Sequence, residues 1–504
     1  MFRILLCSTF LITMTTIAAP PHAQPPGSSG AFVSNDPTIQ RAVVAYSAGQ
    51  LREAEQILGQ MDRGDLISRD ELLQLIPRLR REYSLDPSQL LEKLRPAIPD
   101  VTSDDIETWI KAGALQTRIL DGQIRIFRRE PGHLLRFCPE AIQRRDRWKA
   151  KTAPPSTAGS DPEPSWSLQS HLAQIIDQAT ASGKAEVCPV RHTITYTLTV
   201  KPHRRARVGS ILRAWLPFPQ VYARQRDVTL LESSPPSAIV AEPATDGNPV
   251  TGPAQRTVFF EHSIVDPNQP QVFRIRFQFT TSAFYPHLDD SRAVATGGDE
   301  ASLSTYLVER PPHIVFTPEI RQRVREIVAG ETNPLVKARR IFHNLDDSLR
   351  WTPEEEYCLI PNLSMHGLKR GKGDCGVAAM LFITLCRAAG VPARWQSGWT
   401  TRPEGWNMHD WAEIYVAPWG WIPVDASYGR QPSENPAIRD FYFGHTDSYR
   451  LIVNLDYGRE LSPPKRSFRS EPLDFQRGEV ELDGQNLYFD DWDYQIEFER
   501  DPGP

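Results

Sequence analysis

Three residues of this chain have the types and the order needed for covalent chemistry on an acyl group. Cys375 follows Gly371, Lys372, Gly373 and Asp374 and is followed by the apolar run "GVAAMLFITLCRAAGVPARW". His409 heads "HDWAEIYV", and Asp425 ends "GWIPVD". A thiol nucleophile is activated by a base, and the base is held by an orienting acceptor, so the set Cys, His, Asp in that order fits nucleophilic attack on a carbonyl. Each residue alone has a blander reading: a core thiol, a structural strand histidine, a strand-end cap. No cysteine spacing resembles a zinc knuckle or a CxxC pair, so a metal ligand is the weakest reading of Cys375.

The flanking residues specify how these groups are carried. Asp374 is a helix cap, and Val377, Ala378, Leu381, Phe382 and Leu385 recur at helical spacing on one face. Gly390 and Val391-Pro392 stop the helix, which places Cys375 in its first turn. The unpaired N–H groups there favour a thiolate and bind an oxyanion. Cys386, three turns along, reads as an inert core thiol. His409 and Asp425 fall on strands joined through the turn at Pro418-Trp419-Gly420, where an imidazole and a carboxylate can stand side by side. The chemistry requires the Cys375 sulfur within ~4 Å of the His409 ring, with Asp425 on its far side. Asp410 and Glu413 are expected to face solvent or pair with Arg394. Trp399 and Trp406 flank the loop "TTRPEG" and are candidates to line a substrate groove.

A chain of 504 residues is too long for one core and fits about three domains. Residues 1–23 read as an export signal: Arg3, an apolar stretch over 4–19, then Ala18, Ala19 and Ala23. The expected localisation is therefore periplasmic or secreted, with no stable membrane insertion. Residues 30–149 read as a helical region, with a capping box at Ser68–Glu71 and a β-hairpin turning on Asp121-Gly122. That order is winged-helix-like, and Arg118, Arg125, Arg128 and Arg129 make the hairpin basic. A solvated strand edge is preferred for them, since a net charge of −5 gives no case for nucleic acid. A linker follows at 150–166, and alternating strands predict an antiparallel β-sandwich over 188–285. Helices starting at Thr317-Pro318 and Asn333-Pro334 open the catalytic domain, 300–504, which late strands close. Cys138 and Cys188 flank the linker and could form a bridge pinning the helical region to the sandwich, and Cys358 reads as a buried or spare thiol.

The segments around Cys375, His409 and Asp425 resemble the transglutaminase-like superfamily, within the papain-like cysteine-nucleophile fold. The shared pattern is Gly-x-Cys at a helix start, then Arg387 to Arg394 as "RAAGVPAR", His409-Asp410-Trp411 to Glu413, and Gly420-Trp421 to Asp425. The motif-bearing stretch is about 340–430, under a fifth of the chain. The resemblance implies a multidomain α+β protein with Cys375 as nucleophile, His409 as base and Asp425 holding the imidazole. It implies attack on amide bonds of peptides or proteins through a thioester, resolved by water or by an amine, with water the expected acceptor. One oxyanion donor is the Cys375 N–H; the family's side-chain donor is left open among Trp351, Asn362 and Tyr357. No cofactor or metal is expected. The alternative is a catalytically silent transglutaminase-like scaffold of the cell envelope.

Overall fold

The structure is a computed structural model, and it describes residues 34–152, 166–244, 252–294 and 300–502. The expected export signal and residues 153–165 of the linker lie outside the described residues. Among the described residues, no helix is long and apolar enough to cross a membrane.

The region that carries Cys375, His409 and Asp425 is a helix against a sheet. The strands run in the order Gly420–Val424, Gly405–Val416, Ala393–Arg402, Arg450–Asn454, all antiparallel. Helix Cys375–Ala388 packs on this sheet, with Asp374 as its cap accepting the Val377 N–H at 3.2 Å. Its predicted apolar face is buried, but so is every other face: Gly376 to Arg387 are all inaccessible. Helices Pro318–Val328 and Pro334–Ser348, which start at Thr317 and Asn333 as expected, cover the side away from the sheet. A helix surrounded in this way has no solvent-facing stripe to be amphipathic toward.

Two further antiparallel sheets share one apolar core that includes Tyr196, Trp215, Phe260 and Phe277. The expectation that these strands close within 188–285 needs correction. Glu479–Leu482 pairs with Ile211–Pro217, and Trp492–Pro502 runs along Glu186–Val200, so the last strands of the chain complete these sheets rather than the catalytic domain.

The N-terminal region contains the expected hairpin, Thr117–Leu120 with Gln123–Ile126, and both turn residues take positive φ, Asp121 at 50° and Gly122 at 79°. That is the backbone an Asp-Gly hairpin turn demands. The helix expected to start at Ser68 begins earlier, at Leu66, because Asp65 supplies the cap. The basic hairpin is not a solvated edge throughout: Arg118 reaches the buried Glu355 at 3.2 Å, where Tyr83 also donates at 3.0 Å. Cys358 and Leu359 lie in the same apolar cluster as Tyr46 and Leu75, so the helical region is docked on the segment leading to Cys375. Cys138 and Cys188 are both free thiols, which removes the proposed bridge. Cys188 instead contacts Gln178 Oε1 at 3.1 Å.

Candidate active site

Cys375 begins its helix at the floor of a cleft of about 500 Å³. The cleft's walls come from three parts of the chain: the helical region (Arg81, Arg129), the catalytic domain (Trp351, Tyr357) and the C-terminal segment (Gln476, Arg477). Tyr357 lies across the helix start, where its hydroxyl accepts the Gly376 N–H at 3.1 Å and donates to Asp374 Oδ1 at 2.8 Å. A Cβ at position 376 would fall 2.1 Å from that hydroxyl, which is why glycine follows the cysteine.

The sulfur lies against the strand at Asp410. The thiol donates to Asp410 Oδ2 at 3.2 Å, and the Asp410 backbone N–H also points at the sulfur. Asp410 Oδ1 accepts from the Gln476 side chain at 2.8 Å. Asp410 is therefore buried and engaged, not in solvent and not paired with Arg394 as expected. Glu413 does take Arg394, at 2.8 Å, together with Arg224 at 2.9 Å.

One residue earlier, His409 turns the other way, as neighbours on a strand must. Its Nε2 is 2.6 Å from Asp425 Oδ2, and its ring stacks on Tyr428 at 4.6 Å. The structure thus brings His409 and Asp425 together, and it does not bring Cys375 into a hydrogen bond with His409. Nδ1 of His409, the nitrogen that would have to face a nucleophile, has no hydrogen-bond partner among the described residues. Asp425 is also gripped by Arg450 Nη1 at 2.7 Å, while Ser427 and Tyr428 N–H groups donate to its other oxygen.

Charge at the site departs from the expected thiolate. Burial, and then the carboxyls of Asp410 and Asp374, push the Cys375 thiol well above its ordinary range. The helix terminus does not reverse this, because Asp374 and Tyr357 already occupy its nearest N–H groups. Burial and Glu354 push Asp374 up to about 7. Burial and the adjacent Asp474 push Asp410 up strongly as well. Burial holds His409 below its ordinary value despite Asp425, so its imidazole is neutral, the form a base needs. Burial opposes ionisation of Asp425, but His409 and Arg450 outweigh it and hold that carboxylate charged.

Of the oxyanion candidates, Tyr357 and Trp351 line the cleft, whereas Asn362 caps helix Leu363–Arg370 by accepting the Met365 N–H at 2.8 Å. The two groove tryptophans are corrected. Trp399 is fully buried, stacked on Tyr196 at 5.8 Å with its N–H on the Gln476 carbonyl, and Trp406 packs on Phe498 at 5.8 Å. Strand Ala393–Arg402 is buried on both faces, so Trp399 has no groove to line, and Trp406, half-buried on the next strand, is not among the residues that line the cleft. Sequence reasoning missed Asp410 as a sulfur partner, and also Gln476 and Arg450. The last two stand 25 or more residues beyond the motifs, on segments with no distinguishing pattern. Asp410 was legible only through strand alternation.

Residues 321–426 match the family model of the Transglutaminase-like superfamily, a span that contains Cys375, His409 and Asp425. The chain thus carries a transglutaminase-like domain. An uncharacterized protein of Haemophilus influenzae is 28% identical over 144 residues, 23% of this chain and 38% of that protein's length. Among solved structures, a candidate cysteine protease from Cytophaga hutchinsonii covers 63% of this chain and 91% of its own, at 13% identity and a TM-score of 0.41. The periplasmic domain of TgpA from Pseudomonas aeruginosa covers 50% and 91%, at 15% identity and a TM-score of 0.24.

Proposed function

We propose that this chain is an exported cysteine-nucleophile enzyme that acts on amide bonds of peptides or proteins through a thioester on Cys375. The observation that carries the reading is the position of the thiol: it opens into a large cleft at a helix start, one strand residue from an imidazole braced by a carboxylate. Asp410 is the resting partner of the sulfur, and His409 is the base. For His409 to take the thiol proton, its Nδ1, which lies on the opposite side of the strand from Asp410, must be brought to the sulfur by a local turn of the strand when substrate binds, while Asp425 holds Nε2.

The sulfur then attacks the amide carbon, forming the S–C bond and an oxyanion. The Cys375 N–H is one donor to that charge; a well-placed donor is worth ~3 kcal/mol. The tetrahedral intermediate collapses with cleavage of the C–N bond, and His409 returns the proton to the leaving amine. Water, deprotonated by His409, attacks the thioester and releases the acid and the thiol. Hydrolysis is preferred to cross-linking because water outcompetes an amine in an open cleft.

Incubation with a peptide library, with and without added amine, tests this reading. Products cleaved at amide bonds by the wild type and not by Cys375→Ala support it. Products carrying the amine would reassign the acceptor, and no turnover of any peptide would favour the silent scaffold.

A further inference from the structure

The carboxylate that braces His409 belongs to a buried cluster of four charges. Asp425 Oδ2 takes two groups at once, His409 Nε2 at 2.6 Å and Arg450 Nη1 at 2.7 Å. Sharing one oxygen keeps those two nitrogens within roughly 5.5 Å of each other, close enough for one charge to shift the titration of the other. Arg450 opens strand Arg450–Asn454, and its Nε is 3.6 Å from Asp447 Oδ2. The same Asp447 oxygen takes Arg402 Nη2 at 3.1 Å and the Tyr442 hydroxyl at 2.8 Å. The Tyr428 ring, stacked on His409, also lies under both guanidinium groups, Arg402 at 4.5 Å and Arg450 at 4.6 Å.

The charges of this cluster balance before His409 is counted. Asp425 and Asp447 offset Arg402 and Arg450, and none of the four is more than 9% exposed. Trp411, stacked on His409 at 6.0 Å, adds no charge. His171, packed on Tyr449 at 5.0 Å from helix Leu168–Ser182, is held below its ordinary value by burial. Asp410 is turned to the other side of the strand, toward Cys375. A proton on His409 therefore leaves an unbalanced positive charge in a buried site, which is costly. Burial opposes that proton most, and Arg450 and Arg402 add to it against the pull of Asp425. In an ordinary triad the acid is free to stabilise the imidazolium. Here a guanidinium competes for the same oxygen.

We propose that Arg450 is a positioning residue for His409: by occupying the Asp425 oxygen that holds Nε2, it fixes the carboxylate and cancels its charge, so that His409 rests as a neutral base and not as the imidazolium of a thiolate pair. This deepens the function proposed above and rests on it for the role of His409.

The test is an NMR titration of the full chain labelled with 13C-histidine, the His409 signal being assigned by its loss in His409→Gln. In the wild type, His409 should stay neutral down to about pH 6 or below. Arg450→Met leaves two aspartates against one arginine, so the His409 midpoint should move up by at least about one unit. Arg450→Lys keeps the charge and should return the midpoint to within about half a unit of wild type. Arg402→Met should move it in the same direction by less, and it decides the matter if Arg450→Met does not fold. A midpoint that stays in place in whichever of these Met variants folds overturns the proposal, as does a wild-type His409 charged at pH 7 or an Arg450→Lys midpoint equal to that of Arg450→Met. An Arg450 with a structural role alone would lower the thermal midpoint and leave the titration where it was. Failure to turn over any peptide bears on the enzyme reading alone, because the titration needs no substrate.

Discussion

Replacing Asp410 by asparagine separates the resting acceptor of the sulfur from the proposed base, His409. Asparagine keeps the shape and can still accept from Gln476, but it removes an acid group whose ionised form would stand 3.2 Å from the thiol. At that distance a unit charge opposes thiolate formation by about 1.3 kcal/mol in a water-like dielectric and about 5 kcal/mol at an effective value of 20. These correspond to about one and about four pH units. Asp410→Asn should therefore lower the Cys375 pKa. The assay is the pH dependence of iodoacetamide alkylation at Cys375, with Cys188 as internal reference. Peptide turnover by the same variant should stay within about tenfold of wild type if, as proposed, the base is His409. His409→Ala should lose about 10²- to 10⁴-fold, the usual worth of a general base. An unchanged or higher thiol pKa in Asp410→Asn would refute the electrostatic account. A loss of turnover as deep as that of His409→Ala would make Asp410 the base.

Three other outcomes follow from the geometry. Glu413→Ala leaves Arg224 and Arg394 buried without their anion and should cost about 3–5 kcal/mol in a denaturant titration; a loss under about 1 kcal/mol would show that the cluster contributes little. Gly376→Ala puts a methyl into the Tyr357 ring, so turnover should fall at least tenfold, with a shifted Tyr357 in a crystal structure of the variant; wild-type rates would mean Tyr357 is not needed where it stands. Asp374 is raised from 3.8 to about 7 on folding, so the folded state holds its proton more tightly than the unfolded one. Its contribution to stability is full below pH 3.8 and is lost as pH rises through 7. The thermal midpoint should decline over that window less steeply in Asp374→Asn, which retains the cap. Parallel profiles for the two proteins would contradict the assignment.

Local signals made the catalytic helix readable: a capping aspartate, an apolar run and a Gly-Val-Pro exit each act within a few residues. The strands carrying His409 and Asp425 were readable for the same reason, and so was the Asp-Gly hairpin. Contacts between distant segments were not. Nothing in "DWDYQIEFE" says that it pairs with residues 190–200 rather than with the nearby catalytic strands, because an exposed alternating strand fits any open edge. Likewise the tryptophans at 399 and 406 have the same aromatic character in a groove or in a core, and only the second sheet above them decides. The thiol's charge state was misjudged because a helix start was weighed without the buried acids that surround it. Asp410 shows the cost of reading a strand by type alone: its parity, shared with Ala412 and Ile414, already aimed it at the helix.

The central claim is that Cys375 forms a thioester with the substrate. Rapid acid quenching during turnover of a peptide from the library, followed by intact-mass and peptide-level mass spectrometry, tests it directly. The account predicts an acyl adduct on Cys375 that hydroxylamine removes, that is absent from Cys375→Ala, and that forms far more slowly in His409→Ala. Turnover without any adduct on Cys375, or turnover by Cys375→Ala at the wild-type rate, would contradict it.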